Sequence, residues 1–295
     1  LLVSISLSVL TNEFGRPMRV KDAIERLASA GFEALDFNLF DWCFKGSPFA
    51  EDGWEDWVEE AARTAQRCNI KFTQAHGPMW SRSHDKSDME RLLRLSHRAL
   101  DTAGRLGIPW VVFHPQTANG AWDSAHIDCL RRRNEDWFKQ LIPTAEENRA
   151  GIAIENIMDV LARNDKNGRW FGSVPAEMIS LVDSLDHPLV GVCWDTGHAN
   201  VQGLDQPAAI RALGSRLKAL HIHENNGIED QHLAPYFGKI DWPAFMTALA
   251  EINYTGDFAL ELRRFNVPDT YIVEILRSAY RLGCTMREMR SQSAI

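Results

Sequence analysis

Nine side chains of metal-binding type, five histidines and four carboxylates, stand at or just beyond the ends of short apolar runs in this chain. Six of them close such runs directly: His76 in KFTQAH, His114 in WVVFH, Glu155 in GIAIE, Asp195 in VGVCWD, His221 in LKALH and Glu261 in FALE. Successive members are 38, 41, 40, 26 and 40 residues apart. The other three lie close behind: His198 three positions after Asp195 in WDTGHAN, and Asp230 with His232 in EDQHLAP. Imidazole and carboxylate together suit Zn²⁺, Mn²⁺, Fe²⁺ or Co²⁺ better than Ca²⁺ or Mg²⁺, which prefer all-oxygen shells. A carboxylate seldom follows an apolar strand into a protein interior unless it is paired or bound to a cation. The set therefore reads as a site for a divalent metal.

Those residues need a scaffold that gathers them. A strand, a helix and two loops take about 35–40 residues, so the ligands recur once per βα unit. In a parallel barrel the C-terminal ends of all strands lie on one face, where ligands far apart in sequence converge. Eight strand-like runs fit: Val3–Ser8, Ala34–Asn38, Lys71–His76, Trp110–His114, Gly151–Glu155, Leu189–Asp195, Leu217–His223 and Asp257–Glu261. Helical patterns lie between them, among them Lys21–Ala30, Trp54–Cys68, Met89–Leu106, Ile127–Arg149 and Trp242–Glu251. Gly31, Asn69, Gly107 and Gly151 each stand where a helix stops and a strand begins. The expectation is an α/β fold, a single (β/α)8 barrel over residues 1–295, with a shortened unit before His221. An open doubly wound sheet is the weaker alternative, since no Gly-rich turn follows the first strand; for the same reason no nucleotide cofactor is expected. Long aromatic and polar loops after strands two, three, four, five and seven are what a pocket-building face requires.

Bulk properties narrow the partners. A chain of 295 residues suits a barrel, which typically takes about 250. Net charge is −8, which gives no overall attraction to a phosphate backbone. The run Arg131–Arg133 falls in a helical stretch and reads as a solvated face. Five scattered cysteines without a C-x-x-C point to neither a disulfide framework nor a thiolate site, and fit a cytoplasmic protein. The opening LLVSISLSVL has no basic residues before it and reads as a buried first strand. No apolar run approaches membrane-spanning length. The last helix, with Phe265 and Tyr271 near it, is the candidate face for a homo-oligomer.

The segments GVCWDTGHAN, LHIHENNGIEDQHLAPYFGKIDW, AIEN and ALELR resemble the xylose-isomerase-like barrel superfamily, whose members include sugar and sugar-phosphate isomerases and epimerases and endonuclease IV. The likeness runs from about His76 to Glu261. In the isomerase and epimerase branch it implies one divalent ion held by Glu155, Asp195, His221 and Glu261. Glu155 and Glu261 would also exchange protons with the carbons flanking a carbonyl, and His198 would bind substrate. The endonuclease IV branch uses three zinc ions, and its ligand pattern maps onto all nine residues, adding His76, His114, His198, Asp230 and His232. By the family's pattern His221 is a ligand, and His223 contacts substrate or another ligand.

A small-molecule sugar is the substrate these features favour. A cation bridging carbonyl and hydroxyl oxygens acidifies the adjoining C–H, and a carboxylate removes the proton. Asn156, His198 and His223 are candidate contacts for sugar hydroxyls. Trp42, Phe44, Trp80 and Trp194 stand near the expected mouth, where aromatic faces suit the C–H faces of a sugar. Elimination from a keto-sugar starts with the same proton abstraction. Cleavage of abasic DNA by a three-zinc centre is the rival: the ligand set favours it, while the charge and the loop after His76, which lacks a DNA-inserting segment, oppose it. A non-catalytic sugar-binding or subunit role is the third reading.

Overall fold

Period-two alternation sorts the residues of each strand onto two faces, and the two faces differ in kind. In the second strand Leu35 and Phe37 face one way and Ala34, Asp36 and Asn38 the other; in the fifth, Ile152 and Ile154 oppose Gly151, Ala153 and Glu155. The large apolar set packs outward against helices, and the small and polar set turns inward. Such a sheet can only close on itself, with its narrow interior filled by small residues.

The computed structural model describes residues 1–11, 18–79, 86–117, 123–159, 170–263 and 267–293. Eight parallel strands alternate with helices in the order β1 (Val3–Ser6), α1 (Ser8–Thr11), α2 (Val20–Ala30), β2 (Ala34–Asn38), α3 (Trp54–Arg67), β3 (Lys71–His76), α4 (Lys86–Leu106), β4 (Trp110–Phe113), α5 (Ser124–Asn148), β5 (Gly151–Glu155), α6 (Pro175–Leu185), β6 (Val190–Asp195), α7 (Thr196–Val201), α8 (Gln206–Leu213), β7 (Leu217–His221), α9 (Trp242–Glu251), β8 (Phe258–Leu260) and α10 (Asp269–Ser293). Spatial order follows chain order, β7-β6-β5-β4-β3-β2-β1-β8, every pair parallel. The ring closes through Ile222, whose N–H donates to Ala259 O (2.8 Å) while its carbonyl accepts from Glu261 N (3.0 Å). This is the (β/α)8 barrel expected from the ligand spacing.

Between sheet and helices lies a continuous apolar layer, with Ile5, Phe37, Phe113, Ile154 and Trp194 of the strands meeting Leu27, Leu100, Phe138, Leu181, Phe245 and Leu276 of the helices. Fully burying each such side chain is worth roughly 1.5–3 kcal/mol. The interior holds a separate small cluster, Val112, Ala153, Cys193 and Ala219, sealed below by Trp110. Gly151 and Gly191 make that seal possible: a Cβ on Gly151 would lie 2.2 Å from the Trp110 ring, and one on Gly191 would lie 2.2 Å from Lys218 Cγ.

Several element ends differ from expectation by a residue or more, β8 among them: it runs Phe258–Leu260, so Glu261 sits just past its strand. β1 stops at Ser6, because the chain turns at Leu7 into α1. β4 and β7 end at Phe113 and His221, so His114 sits just past its strand and His223 leaves the ladder after the closing bridge at Ile222. The stop of α5 is Arg149, left-handed at φ 53°, and not Gly151, which is already β5; Gly31, Asn69 and Gly107 do carry positive φ, as expected. Arg131 and Arg132 pair with Asp128, and Arg131 also with Glu135, so the basic run is neutralised on its own helix. Among the described residues no helix is long and apolar enough to cross a membrane.

If Gly151 is glycine because of Trp110, then Gly151→Ala should lower the melting temperature by several degrees, an overpacking cost of about 1–3 kcal/mol. Shrinking the plug in the same background, with Trp110→Leu, should recover part of the loss. An unchanged melting temperature in Gly151→Ala contradicts this packing.

Candidate metal centre

Each of the six strand-end ligands occupies the rim that its strand pleat assigns it, and the rim is closed over itself by hydrogen bonds. Glu155 ends β5 with 1% of its surface exposed. Its Oε1 lies 3.0 Å from His221 Nδ1 and 3.6 Å from His198 Nδ1; its Oε2 lies 3.1 Å from His114 Nε2 and 3.3 Å from His76 Nε2. Glu261 Oε2 approaches His221 Nδ1 at 3.7 Å and His232 Nδ1 at 3.8 Å. Asp195 and His221, on neighbouring strands and fully buried, stand side by side in register.

The D-T-G-H segment reads as one local machine. Asp195 ends β6 and caps α7 without an intervening loop: its Oδ1 accepts from His198 N at 2.6 Å, and its Oδ2 lies 2.9 Å from His223 Nε2. Thr196 Oγ1 donates to His223 O and accepts from His223 N, at 2.8 and 3.1 Å, tying α7 to the exit of β7. Gly197 has to lack a side chain, because a Cβ there would lie 1.8 Å from the His223 ring. The H-E-N segment that follows builds the next loop. Glu224 accepts from Gly238 N (3.1 Å) and Ile240 N (2.9 Å), and Asn225 Nδ2 donates to Gly197 O (2.8 Å). That loop delivers Asp230 and His232, 2.8 Å apart, with the His232 ring stacked on His223 at 3.9 Å.

A common device orients the imidazoles. His76 Nδ1 donates to Gly77 O (2.9 Å), His198 Nδ1 to Asn156 O (2.9 Å) and His232 Nδ1 to Glu261 O (2.8 Å). A nitrogen that donates to a carbonyl carries a proton, so Nε2 is the nitrogen turned toward the pocket carboxylates, and it becomes available to a metal once its own proton is displaced. Among the described residues donor atoms gather in four overlapping groups, each within 4.8 Å of one another: Glu155, Asp195, His221 and Glu261; His76, Glu155 and His221; Asp195, His198 and His223; and His223, His232 and Glu261. Among the described residues, buried Glu155 Oε2, Asp230 Oδ1 and His223 Nδ1 have no hydrogen-bond partner. Orphaned polar atoms in a dry pocket are costly. Donors of this chemistry, left unsatisfied and aimed at shared space, fit a divalent cation. Cys193 is no part of this set: burial pushes its thiol up to about 12, which keeps it protonated.

Some candidates from the sequence take other roles. Asn156 donates to Asp195 O (3.0 Å) and accepts from Asp195 N (2.7 Å), so both ends of its amide clamp β5 to β6. Trp194 is wholly buried in the outer layer, its indole donating to Gln206 Oε1 (3.2 Å), because inward Asp195 forces its neighbour outward. Trp42 packs on Trp57 at 5.4 Å, with Phe44 exposed beyond it. Trp80 and Phe265 lie outside the described residues. The sequence reading passed over Asp36 and Gln74, which sit below the rim on β2 and β3; the signal was an aspartate in the middle of an apolar strand, ALDFN.

Electrostatics bind the cluster together. Burial disfavours the charged imidazolium of His198, but Asp195, Asp230 and Glu155 outweigh it and push the group up to about 9. His232 rises to about 9 in the same way against burial, through Asp230 and Glu261. Burial also resists ionisation of Glu155, Asp195 and Asp230, yet the surrounding imidazoles hold all three below the usual carboxylate range. A folded imidazole raised above its ordinary 6.5 contributes stability fully below that pH and loses it as pH climbs through the folded value. Chelator-stripped protein should therefore lose melting temperature between about pH 6.5 and 9, and Mn²⁺ or Zn²⁺ should flatten that fall by replacing the protons. A stripped protein whose melting temperature is level across this window contradicts the coupling.

Comparison with known proteins follows the same line. The chain is 29% identical over 202 residues to protein y4fM of Sinorhizobium fredii, an alignment that covers 67% of this chain and 60% of that protein. It is 25% identical over 254 residues to a D-psicose 3-epimerase of Ruminiclostridium cellulolyticum, covering 81% and 76% of the two chains. Its fold superposes on the crystal structure of a D-tagatose 3-epimerase-like protein with a TM-score of 0.78 at 18% identity, over all of both chains. The family model for the xylose isomerase-like TIM barrel matches residues 24–282. With that span, and with the barrel and rim described above, the chain belongs to the xylose isomerase-like TIM barrel family.

Proposed function

We propose that this chain is a divalent-metal-dependent isomerase or epimerase acting on a ketose or a sugar phosphate. The observation that carries the reading is the group Glu155, Asp195, His221 and Glu261. It combines a cation's donor set with two carboxylates that reach one pocket from β5 and β8, with β6 and β7 between them in the ring. The D-psicose 3-epimerase relative supports the same class of reaction. Mn²⁺, Zn²⁺, Co²⁺ and Fe²⁺ all suit the mixed imidazole and carboxylate donors. When bound, such an ion polarises a carbonyl and its neighbouring hydroxyl, which acidifies the C–H between them.

The chain's own residues do the rest. Glu155 and Glu261 are the groups that take a proton from one face of the carbon beside the carbonyl and return it to the same or the opposite face. Glu155 suits the task because it is buried at the end of β5, with its Oε2 turned toward His76 and His114 at the rim of the pocket. His198 and His223, held by the Asn156 carbonyl and Asp195, line the space where sugar hydroxyls would sit. With its amide used between strands, Asn156 orients Asp195 rather than substrate.

A specific observation favours a second reading. His76 and His114 beside Glu155, and His198 and His232 beside Asp230, supply donors beyond the needs of one ion. A multi-ion centre of that kind serves phosphodiester cleavage at abasic DNA, while elimination from a keto-sugar needs only the single-ion group. Elemental analysis of metal per chain separates one ion from three. Nicking of an abasic-site duplex at physiological salt would move the assignment to the nuclease. For the proposal itself, deuterium from solvent should enter the carbon beside the carbonyl of a turned-over ketose. Glu155→Gln should abolish that exchange, a loss of at least about 10²–10⁴-fold for a general base, with circular dichroism showing that the fold is retained. Absence of exchange across a ketose panel, or exchange that survives Glu155→Gln, sinks this reading.

A further inference from the structure

Asp36 is a buried carboxylate that the proton-transfer chemistry does not use. It sits in the middle of β2 with no exposed surface, one layer below the rim and facing into the barrel. Its Oδ2 accepts from Gln74 Nε2 at 2.7 Å and from His221 Nε2 at 3.1 Å, the latter across 185 residues of sequence. Its Oδ1 has no hydrogen-bond partner among the described residues. A carboxylate with one oxygen orphaned in a dry interior costs stability, so packing alone gives no reason for a charge here.

The geometry around His221 supplies one. The other oriented imidazoles, His76, His198 and His232, each spend a nitrogen on a main-chain carbonyl. His221 instead spends its nitrogen on a side chain reaching in from β2. A carboxylate can only accept, so the proton on that edge belongs to Nε2; Nδ1 faces Glu155 Oε1 at 3.0 Å and Glu261 Oε2 at 3.7 Å, so its proton in the metal-free chain is the one a cation would displace. Gln74 makes the arrangement rigid. Its Nε2 donates both to Asp36 Oδ2 and, at 3.3 Å, to the carbonyl of Leu220, the residue before His221. Two acceptors fix which way the amide points and tie the carboxylate to the β7 backbone beside its target.

We propose that Asp36 is a positioning residue for the cation centre: it holds one His221 proton on Nε2, so that Nδ1, between Glu155 and Glu261, is the nitrogen left to a cation, and through its charge makes His221 a stronger donor. The proposal rests on the reading of Glu155, Asp195, His221 and Glu261 as a cation site. Outer partners of this kind set both the tautomer and the basicity of a ligating imidazole, and their loss typically weakens metal binding about 10–100-fold.

Two substitutions separate charge from geometry. Asp36→Asn keeps an acceptor oxygen for Gln74 and His221, while its amide nitrogen takes the place of the orphaned Oδ1. Asp36→Leu removes the acceptor. The dissociation constants of Mn²⁺ and Co²⁺ are measured by chelator competition in parent, Asp36→Asn and Asp36→Leu, together with the visible Co²⁺ spectrum and the melting temperature of each stripped protein. Asp36→Asn should weaken binding about 10–100-fold and shift the Co²⁺ bands, with the stripped protein melting no lower than the parent; Asp36→Leu should weaken binding further. If Asp36→Leu does not fold, the Asp36→Asn pair of readings carries the test. Unchanged affinity in Asp36→Asn overturns the proposal, whatever its melting temperature, and a fall in stripped-protein melting temperature alone assigns Asp36 a structural role. A parent that binds neither ion, or a Glu155→Gln variant that binds both as tightly as the parent, overturns the cation-site reading and this proposal with it.

Discussion

Everything at the rim of this barrel depends on keeping carboxylate charge in a place that water does not reach. Glu155 is almost fully enclosed, and Asp36 and Asp195 are completely so. An isolated carboxylate in such surroundings would give up its charge. Here imidazoles answer it on every side: His76, His114, His198 and His221 surround Glu155, His223 pairs with Asp195, and His232 pairs with Asp230. Protons between those partners hold the centre together in the metal-free chain. A cation of the right size replaces them with one concentrated charge, which is why the same residues that stabilise the rim can also serve chemistry.

That arrangement sets demands on the rest of the fold. A barrel interior of small residues, plugged below by Trp110 over Gly151, leaves its upper layer free for long polar side chains. The β6-to-α7 junction has no loop, so Asp195 can cap a helix and hold His223 at once. Gly197 allows the helix backbone to press against that ring. The D-T-G-H segment is thus a solution to crowding, in which each residue type follows from what its neighbours occupy.

Much of this was legible from the chain itself. Histidines and acids that end apolar runs at forty-residue intervals leave few architectures that could use them, and the eight strands fell within a residue or two of where the pattern placed them. Pleat direction carries further information at single residues: an inward Asp195 sends Trp194 outward, and Asp36 joins the interior with Ala34 and Asn38. The partners of Asp36 could not be read in that way. The His221 ring lies 185 residues distant, and only barrel closure, with β2 and β7 facing each other across the interior, brings the two within 3.1 Å. The use of Asn156 was hidden for a related reason, since its acceptor and donor are backbone groups of another strand, which carry no sequence signature.

The central claim is that Glu155, Asp195, Glu261 and the Nδ1 of His221 share a divalent ion. Anomalous diffraction from crystals of the intact protein grown with Mn²⁺ or Zn²⁺, recorded on either side of the metal's absorption edge, tests it most directly. The account predicts a peak bounded by those four donors at about 2.0–2.2 Å, with His221 Nε2 still against Asp36. Anomalous peaks confined to other positions, or an ion bound through His221 Nε2 with Asp36 displaced, would contradict it.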